Sequence, residues 1–352
     1  AIYQIADGFK KLKGPYRQDE LKNQLNDFIA VDQSLPEIDE EDTVLIAAKG
    51  IITNIFKPVD DEVFELFKPR PGPGATNEPL KVWERWKPNK LFASITDVFN
   101  PLEWFYATYA EANWDASSLI KKFKDIDEVP TSRFKFVPKK VGTARGICIE
   151  HNDVQYLQQG VKNFLYPYVE RHPITKGQVN FASQDFNAEE AIRSSLDRRN
   201  ATLDMSAASD RVSRDLVRFL FSDLPNLGEA LLCLSTPIIT FDGVLQDSKG
   251  KDIAIDPLET RKYAPMGSGL CFPIMALVHF AILKATITLY HDDPQCKILV
   301  YGDDIIIPSE YAKSAYEQLP KYGMKFNEGK SFVNGHFRES CGTHAYKGNV
   351  ID

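Results

Sequence analysis

Two short apolar runs rich in β-branched residues flank the tetrapeptide Tyr-Gly-Asp-Asp at residues 301–304. This pattern predicts a β-hairpin whose tight turn falls at Gly302 and Asp303, because glycine readily adopts the positive φ that hairpin turns often need. The hairpin would hold two adjacent carboxylates, Asp303 and Asp304, at the tip of a buried sheet. Like charges this close repel each other unless a cation neutralises them, and carboxylate oxygens suit Mg²⁺ or Mn²⁺. Taken alone, such a sequence is more often an ordinary acidic turn.

Composition limits the classes to which the chain can belong. Its 43% hydrophobic and 26% charged residues are typical of a soluble globular protein, and 352 residues favour about two domains. The net charge of −7 argues against a uniformly basic nucleic-acid coat but permits a basic channel inside an acidic shell. Five scattered cysteines form neither a CxxC pair nor a Cys/His cluster, which disfavours zinc and favours a reducing compartment. We see no signal peptide.

A basic stretch and an acidic stretch carry candidate chemistry. Residues 133–145 hold five positive charges among apolar residues, which predicts a strand pair with one cationic face. A solvated face would give the same pattern, but in an acidic protein a path for polyphosphate or nucleic acid fits better. Residues 200–210 predict a strand that breaks into a helix capped by Ser206, with Asp204 and Asp210 near one opening. A helix dipole that favours N-terminal carboxylates is the plainer explanation of either aspartate.

The segment 265–290 combines a glycine-containing loop with a long apolar run. Residues 265–270 predict a small flexible loop that can admit a nucleotide or a template backbone at the start of a long helix. Residues 270–290 are apolar enough to suggest a membrane span, but their proline, histidine and lysine favour a buried helix. Further expectations are a helix at Thr43–Phe56, a rigid loop at 69–76, aromatic core packing at 80–130, a hairpin excursion at 241–257, a helix at 311–319, and a strand with a turn at 337–342.

The order of these motifs resembles the palm and fingers motifs of viral RNA-dependent RNA polymerases. It is most similar to the replicases of single-stranded RNA bacteriophages of the Qbeta type. The residues that carry the resemblance are 138–145, 204–210, 266–269, 301–306 and 337–342, with a similar loop at 72–76. The Ser-Ala-Ala-Ser-Asp and Phe-Arg-Glu-Ser-Cys-Gly strings are specific, whereas Gly-Asp-Asp alone is not.

The resemblance implies an α+β right-hand polymerase fold, with a palm of antiparallel sheet plus helices, and fingers. Such replicases continue into a C-terminal thumb, so the sequence that stops at Asp352 is expected to lack most of it. The implied divisions are an N-terminal region packing on the fingers (1–69), fingers with a basic channel (70–199), palm (200–240), a fingers excursion (241–264) and further palm (265–352).

The resemblance also implies a reaction, namely template-directed RNA synthesis from NTPs on a viral single-stranded genome by two-metal nucleotidyl transfer. Asp204, Asp303 and Asp304 would be the ligands of two Mg²⁺ ions, for which Mn²⁺ can substitute. Lys330 resembles the lysine that protonates the leaving pyrophosphate, although a solvated lysine is nearly as good an explanation. The implied NTP-binding residues are Lys139 and Arg145 for the triphosphate, with Asp210, Ser268 and Gly269 near the ribose. The family often has Asn where Ser268 stands.

Two alternatives stay open at this point. Reverse transcriptases share the palm, but they usually place an aromatic residue where this chain has Ser209, which disfavours a DNA-making enzyme. A non-catalytic RNA-binding or assembly module is the other alternative, although Asp204, Asp303 and Asp304 are all intact. The implied partners are RNA template and product, NTPs and, by resemblance only, host elongation factors Tu and Ts and a ribosomal protein. The expected location is the cytoplasm of an infected bacterium, without a membrane partner.

Overall fold

The computed structural model describes residues 16–106, 108–125, 128–140, 143–247 and 249–351, and of Tyr109 and Lys140 it describes the backbone only. The helices are α1 Gln18–Gln33, α2 Thr43–Phe56, α3 Val63–Leu66, α4 Ala93–Thr96, α5 Pro101–Trp104, α6 Tyr109–Trp114, α7 Ala116–Ile120, α8 Asn152–Arg171, α9 Asp185–Asp197, α10 Arg214–Leu220, α11 Pro225–Cys233, α12 Cys271–His291 and α13 Ala312–Gln318. Turns of 3₁₀ helix lie at Lys57–Glu62, Val82–Trp86, Ala208–Asp210, Ser309–Tyr311 and Leu319–Tyr322.

Ten strands form three small sheets among the described residues. They are β1 Thr131–Lys140, β2 Thr143–Ile149, β3 Asn200–Asp204, β4 Ile238–Thr240, β5 Leu258–Glu259, β6 Leu299–Tyr301, β7 Asp304–Pro308, β8 Phe337–Ser340, β9 Thr343–Tyr346 and β10 Asn349–Val350. The strand orders are β2-β1-β4-β5, β3-β7-β6 and β10-β9-β8. The sheet β3-β7-β6 is antiparallel throughout, and its register places Asp204 opposite Asp304.

The apolar core surrounds this antiparallel sheet. Helix α9 packs on all three of its strands and α12 packs on β6. By length and composition α12 could cross a membrane, but 83% of its apolar window is buried inside the fold. Two of its polar side chains bond to nearby backbone: His279 Nδ1 lies 3.0 Å from the Gly302 carbonyl oxygen, and Lys284 donates to the Cys296 carbonyl. His279 Nε2 is buried and has no hydrogen-bond partner among the described residues. The helix therefore behaves as the buried core helix that its interruptions suggested.

Several elements follow the sequence expectations closely. Helix α2 begins after Asp42, whose carboxylate accepts a hydrogen bond from the Leu45 amide at 2.9 Å. The basic stretch forms the antiparallel pair β1–β2, and the hairpin β6–β7 turns at Gly302 with φ of 65°. The excursion between β4 and β5 turns at glycines with positive φ, and β8 ends in a turn at residues 341–342. Periodicity and turn residues were sufficient for these elements because both signals are local.

One expectation is wrong, and another holds only in part. Ser206 does not cap a helix, because Ala207 adopts φ of 50° and the chain passes through a 3₁₀ turn before α10. The cap is Ser213, which accepts a hydrogen bond from the Leu216 amide at 3.0 Å. The aromatic core packing expected at 80–130 is present at Phe105, which is buried, but three of the four tryptophans in this segment lie outside the core. Their exposed fractions are 69% at residue 83, 53% at residue 86 and 89% at residue 114, and only the fourth is packed among buried aromatic rings.

Candidate active site

The end of β3 and the β6–β7 turn bring two carboxylates to one cleft. Asp204 is the last residue of β3, and the Met205 amide donates to the Asp303 carbonyl at 3.3 Å, so the turn is held against the end of β3. The turn itself is held against α12. A Cβ at Gly302 would lie 2.3 Å from Phe272 Cε2, and the positive φ there also favours glycine. The carboxylates of Asp204 and Asp303 therefore stand on a rigid support.

Asp204 lies in an environment that disfavours its charge. Burial raises the pKa of Asp204 to about 6, and the negative charges of Asp303 and Asp304 act in the same direction. Two groups oppose this rise. Asn327 Nδ2 donates to Asp204 Oδ2 at 2.8 Å, and the ammonium group of Lys330 attracts the carboxylate. Part of the negative charge remains uncompensated, as expected where a cation binds.

Asp304 is oriented differently from its neighbour. Its Oδ1 accepts hydrogen bonds from the Cys341 amide at 3.0 Å and from Ser340 Oγ at 3.2 Å, so its carboxylate is held by the end of β8. Burial raises the pKa of Asp304. Asp303 lies in the turn before β7, whereas Asp304 is the first residue of β7 and pairs with Asp204. Asp304 does not line the cleft, and we describe it as a support of the turn.

The cleft has a volume of about 580 Å³. The sequence-predicted residues that line it are Asp204, Asp303, Lys139, Arg145, Ser268 and Lys330. The two carboxylates come from the sheet β3-β7-β6, and two of the cations come from the end of the β1–β2 pair where the register shifts between Pro138 and Lys140. Short acidic side chains and long basic ones thus line the same space.

The third cation is oriented by a carboxylate. Lys330 Nζ lies 2.8 Å from Glu339 Oε1, and this hydrogen bond raises the pKa of Lys330. Half of the lysine side chain is exposed, whereas that of Glu339 is largely buried. The ammonium group therefore stays charged and keeps a defined position at the edge of the cleft.

The loop before α12 lies close to β2. The Cys148 amide donates to the Met266 carbonyl at 2.7 Å, and a Cβ at Gly267 would lie 2.0 Å from the Cys148 carbonyl oxygen. Gly267 has φ of 119°, so the close approach and the backbone conformation both favour glycine. Ser268 lines the cleft, with its Oγ accepting from the Leu270 amide at 3.2 Å. Gly269 does not line the cleft, and its amide donates to Gln158 at 2.9 Å.

Asp210 lies beside the cleft and not in it. It lines a neighbouring pocket of about 410 Å³. The residues that line both spaces are Lys139, Arg145, Ala207, Ser209 and Met266. Burial raises the pKa of Asp210, and the nearby ammonium group of Lys262 opposes that rise. The two spaces thus adjoin, and the predicted sugar-contacting residues Asp210 and Ser268 line one each.

Sequence reasoning missed two residues at this site. Asn327 hydrogen-bonds Asp204, and Lys262 lies against Asp210. Neither residue belongs to a recognisable motif, and each reaches its partner from a distant part of the sequence. No local signal announces the burial of Lys262, because a lysine beside apolar residues usually keeps its charged end in water.

The donor set fits a divalent cation at Asp204 and Asp303. Both supply the oxygen ligands that Mg²⁺ prefers, and both line one cleft. Within the described ranges, however, no three His, Cys, Asp or Glu side chains converge on a common point. In this arrangement Asp304 Oδ1 accepts a hydrogen bond from the Cys341 amide, and a role for Asp304 as a third ligand stays a prediction.

Comparison with known sequences gives one family. The family described as "RNA replicase, beta-chain" matches residues 41–352. The RNA-directed RNA polymerase beta chain of Escherichia phage MS2 is 35% identical over 212 residues, which cover 60% of this chain and 35% of that protein. The RNA-directed RNA polymerase subunit beta of Qbeta virus (strain MX1) is 32% identical over 219 residues, which cover 62% and 34%. The matched part thus spans about a third of these curated relatives.

Comparison with solved structures concerns the fold. The in situ structure of the BmCPV RNA-dependent RNA polymerase at elongation state has a TM-score of 0.51 and 11% identity, over 89% of this chain and 29% of that one. At this identity the likeness establishes the fold alone. Together with the mixture of helices and antiparallel sheet, it confirms the α+β polymerase fold expected from the sequence.

Proposed function

The chain belongs to the RNA replicase beta-chain family, and from this premise we propose that it performs template-directed RNA synthesis from nucleoside triphosphates. The observation that carries the proposal is the cleft in which Asp204 and Asp303 face the same space as Lys139, Arg145 and Lys330. A triphosphate and a growing strand are polyanions, so a site that accepts them needs fixed cations beside any acidic residues.

In the proposed reaction the 3′-hydroxyl of an RNA strand attacks the α-phosphate of an incoming NTP, and pyrophosphate leaves. Phosphoryl transfer of this kind depends on positioning and on neutralising charge more than on covalent chemistry by the protein. Two Mg²⁺ ions, held by Asp204 and Asp303, would activate the hydroxyl and stabilise the leaving oxygens. Asp304 contributes by holding the turn through its bonds to Ser340 and Cys341.

The cations bind the triphosphate and neutralise its negative charge. Arg145 can grip two phosphate oxygens at once, whereas Lys139 acts as a point charge. Lys330 donates a proton to the pyrophosphate, for which its Glu339 partner both orients the ammonium group and keeps it protonated. As the proton leaves Lys330, the negative charge on the departing oxygens is neutralised.

The sugar is read by hydrogen bonds to its 2′-hydroxyl. Ser268 lines the cleft and Asp210 lines the pocket beside it. A site built to bond a hydroxyl rejects the analogue that lacks one, because its own polar group is then left without a partner. We therefore assign ribonucleotide selection to Asp210 and Ser268, with the Gly269 backbone shaping the loop.

The proposal extends to the setting of the reaction. The substrates are NTPs and a single-stranded viral RNA, in the cytoplasm of an infected bacterium. Elongation factors Tu and Ts and a ribosomal protein stay predictions from the family resemblance, as do the divisions at residues 69, 199, 240 and 264.

The test is primer extension on a defined RNA template. With Mg²⁺ present, the chain should add the complementary NTP, and it should use dNTPs much less well. Equal or better extension with dNTPs would favour a reverse transcriptase. RNA binding without extension under any NTP or metal condition would favour a non-catalytic module and would contradict the proposal.

A further inference from the structure

The Asp210 side chain is mostly buried in the protein, and its exposed part lines a pocket. Its Oδ1 is buried, accepts no hydrogen bond in the part of the chain that is described, and lies 3.9 Å from Lys262 Nζ. The side chain nevertheless keeps 20% of its exposure and lines the pocket that adjoins the cleft. A carboxylate in this setting keeps its charge and direction only if the buried side meets a compensating cation.

Lys262 is the cation at that buried side. Its side chain is fully buried, and its Nζ donates to the Phe28 carbonyl at 2.7 Å. The same ammonium group lies 3.0 Å from the centroid of the Phe28 ring. Burial lowers the pKa of Lys262, while the charges of Asp210 and Asp32 raise it. A fully buried lysine with so few partners is costly for a fold, so its position calls for an explanation.

The first helix fixes the backbone around this lysine. From α1, the Asp32 Oδ1 atom accepts from Thr260 Oγ1 at 2.6 Å, from the Arg261 amide at 3.0 Å and from the Lys262 amide at 3.2 Å. Arg261 in turn donates to the Leu35 carbonyl at 2.6 Å. The segment 260–262 is thus attached to α1 and to the chain that follows it. Helix α1 lies outside residues 41–352, which match the family.

We propose that Lys262 is a positioning residue for sugar selection: held by Phe28 and Asp32 of α1, it orients the Asp210 carboxylate toward the 2′-hydroxyl of the incoming NTP. The inference rests on the proposed function, since it concerns how the same site chooses its substrate. Lys262 touches no substrate itself. It acts by keeping Asp210 charged and by restricting the carboxylate to a direction in which it can accept a hydrogen bond from the sugar.

A purely structural role for Lys262 makes a different prediction. An ion pair that only stabilises the fold affects NTP and dNTP use equally, because both substrates need the same folded cleft. A positioning role affects the NTP alone, because the dNTP has no 2′-hydroxyl to bond. The ratio of the two kcat/KM values therefore separates the two roles.

The experiment measures kcat/KM for GTP and dGTP on one template with the wild type, Lys262→Met, Asp210→Asn and the double variant. We expect Lys262→Met to lower the preference for GTP about tenfold, mainly through a higher KM for GTP. The double variant should lose no more preference than Asp210→Asn alone, since Lys262 acts only through Asp210. Lys262→Arg, which keeps the charge, should recover part of the preference. Lys251→Met, at an exposed lysine in the excursion, is the matched control and should change nothing.

Competition binding of GTP and dGTP, with melting curves for every variant, gives a readout that does not depend on turnover. If Lys262→Met melts early, Asp32→Ala takes its place, because it removes the oxygen that holds segment 260–262 and leaves the Asp210 and Lys262 side chains in the chain. A wild type that prefers GTP, together with variants that keep this preference within twofold, would overturn this inference alone. A wild type that prefers neither sugar would overturn the proposed function and this inference with it.

Discussion

The acidic and the cationic walls of the cleft are built in different ways. Asp204 and Asp303 are short, partly buried side chains on a sheet that packs against α9 and α12. Lys139 and Arg145 are long, exposed side chains near the end of the two-stranded β1–β2 pair. Ligands of a metal ion must be placed to a fraction of an ångström, whereas attraction of a triphosphate tolerates movement. The partly buried acidic wall therefore suits chemistry, and the exposed cations suit substrate capture.

The largest effect should follow from changing a carboxylate of the acidic wall. Asp303→Asn keeps the shape of the side chain and removes its charge, so nucleotide incorporation at saturating NTP should fall about a thousandfold. Single-turnover extension measures this loss, and the melting temperature should change little. Asp304→Asn is the control, because that carboxylate is bound to Ser340 and Cys341 outside the cleft. Equal losses of rate in both variants would contradict the distinction between the two aspartates.

The rigidity of the acidic wall should depend on Gly302. An alanine there needs a positive φ and places its Cβ 2.3 Å from a Phe272 ring atom, so Gly302→Ala should cost about 3 kcal/mol of stability. Gly250→Ala is matched, because Gly250 also has positive φ but nothing lies within 4 Å of its Cβ. Gly250→Ala should lower the free energy of unfolding by only about 1 kcal/mol. Urea unfolding compares the two, and similar losses would mean that the contact with α12 does not restrain the turn.

A change in the cationic wall should act on substrate capture. Arg145→Ala should raise the KM for NTP and lower kcat/KM about tenfold, since an arginine clamp also strengthens toward the transition state. Lys135→Ala removes an equally exposed charge from the same strand pair, but from a residue that does not line the cleft. Its kcat/KM should stay within about twofold of the wild type. Steady-state kinetics on both variants decide the point, and equal small effects would make the basic stretch a solvated face.

The smallest effect concerns Glu150, a buried carboxyl at the end of the cationic strand pair. Glu150 follows β2, is almost fully buried, and has its pKa raised to about 7 by that burial. Because the folded state holds this proton more tightly than the unfolded state, the stabilisation from the protonated carboxyl is present at low pH. It is lost as the pH rises through about 7. Glu150→Gln should remove on the order of 1 kcal/mol of this pH dependence between about pH 5 and pH 8. Unfolding curves whose pH dependence is the same in both proteins would contradict it.

The sequence predicted the acidic wall better than it predicted the segments that pack around it. The strand that ends at Asp204 and the turn at Gly302 both follow from local signals, namely β-branched runs and a turn glycine. Ser206 failed as a cap because the backbone of Ala207 turns left-handed, a conformation that no local pattern announces for alanine.

Contacts between distant segments could not be predicted. Lys262 meets Phe28 across more than two hundred residues, and one sequence shows neither the contact nor the burial that it causes. The exposed Trp83 and Trp114 show the converse error, in which large apolar side chains were assigned to the core. Burial of an individual side chain depends on which elements pack over it, and this is a property of the whole fold.

Single-turnover incorporation of one templated nucleotide, followed over a range of NTP concentrations, tests the central claim that the two walls do different work in RNA synthesis. With Mg²⁺ the wild type should add only the complementary NTP. Asp303→Asn should lose its rate at every concentration, and Arg145→Ala should shift the half-saturating concentration upward while keeping a larger share of the rate. A wild-type chain that adds no templated ribonucleotide, or two variants that lose rate and affinity in the same proportion, would contradict the account.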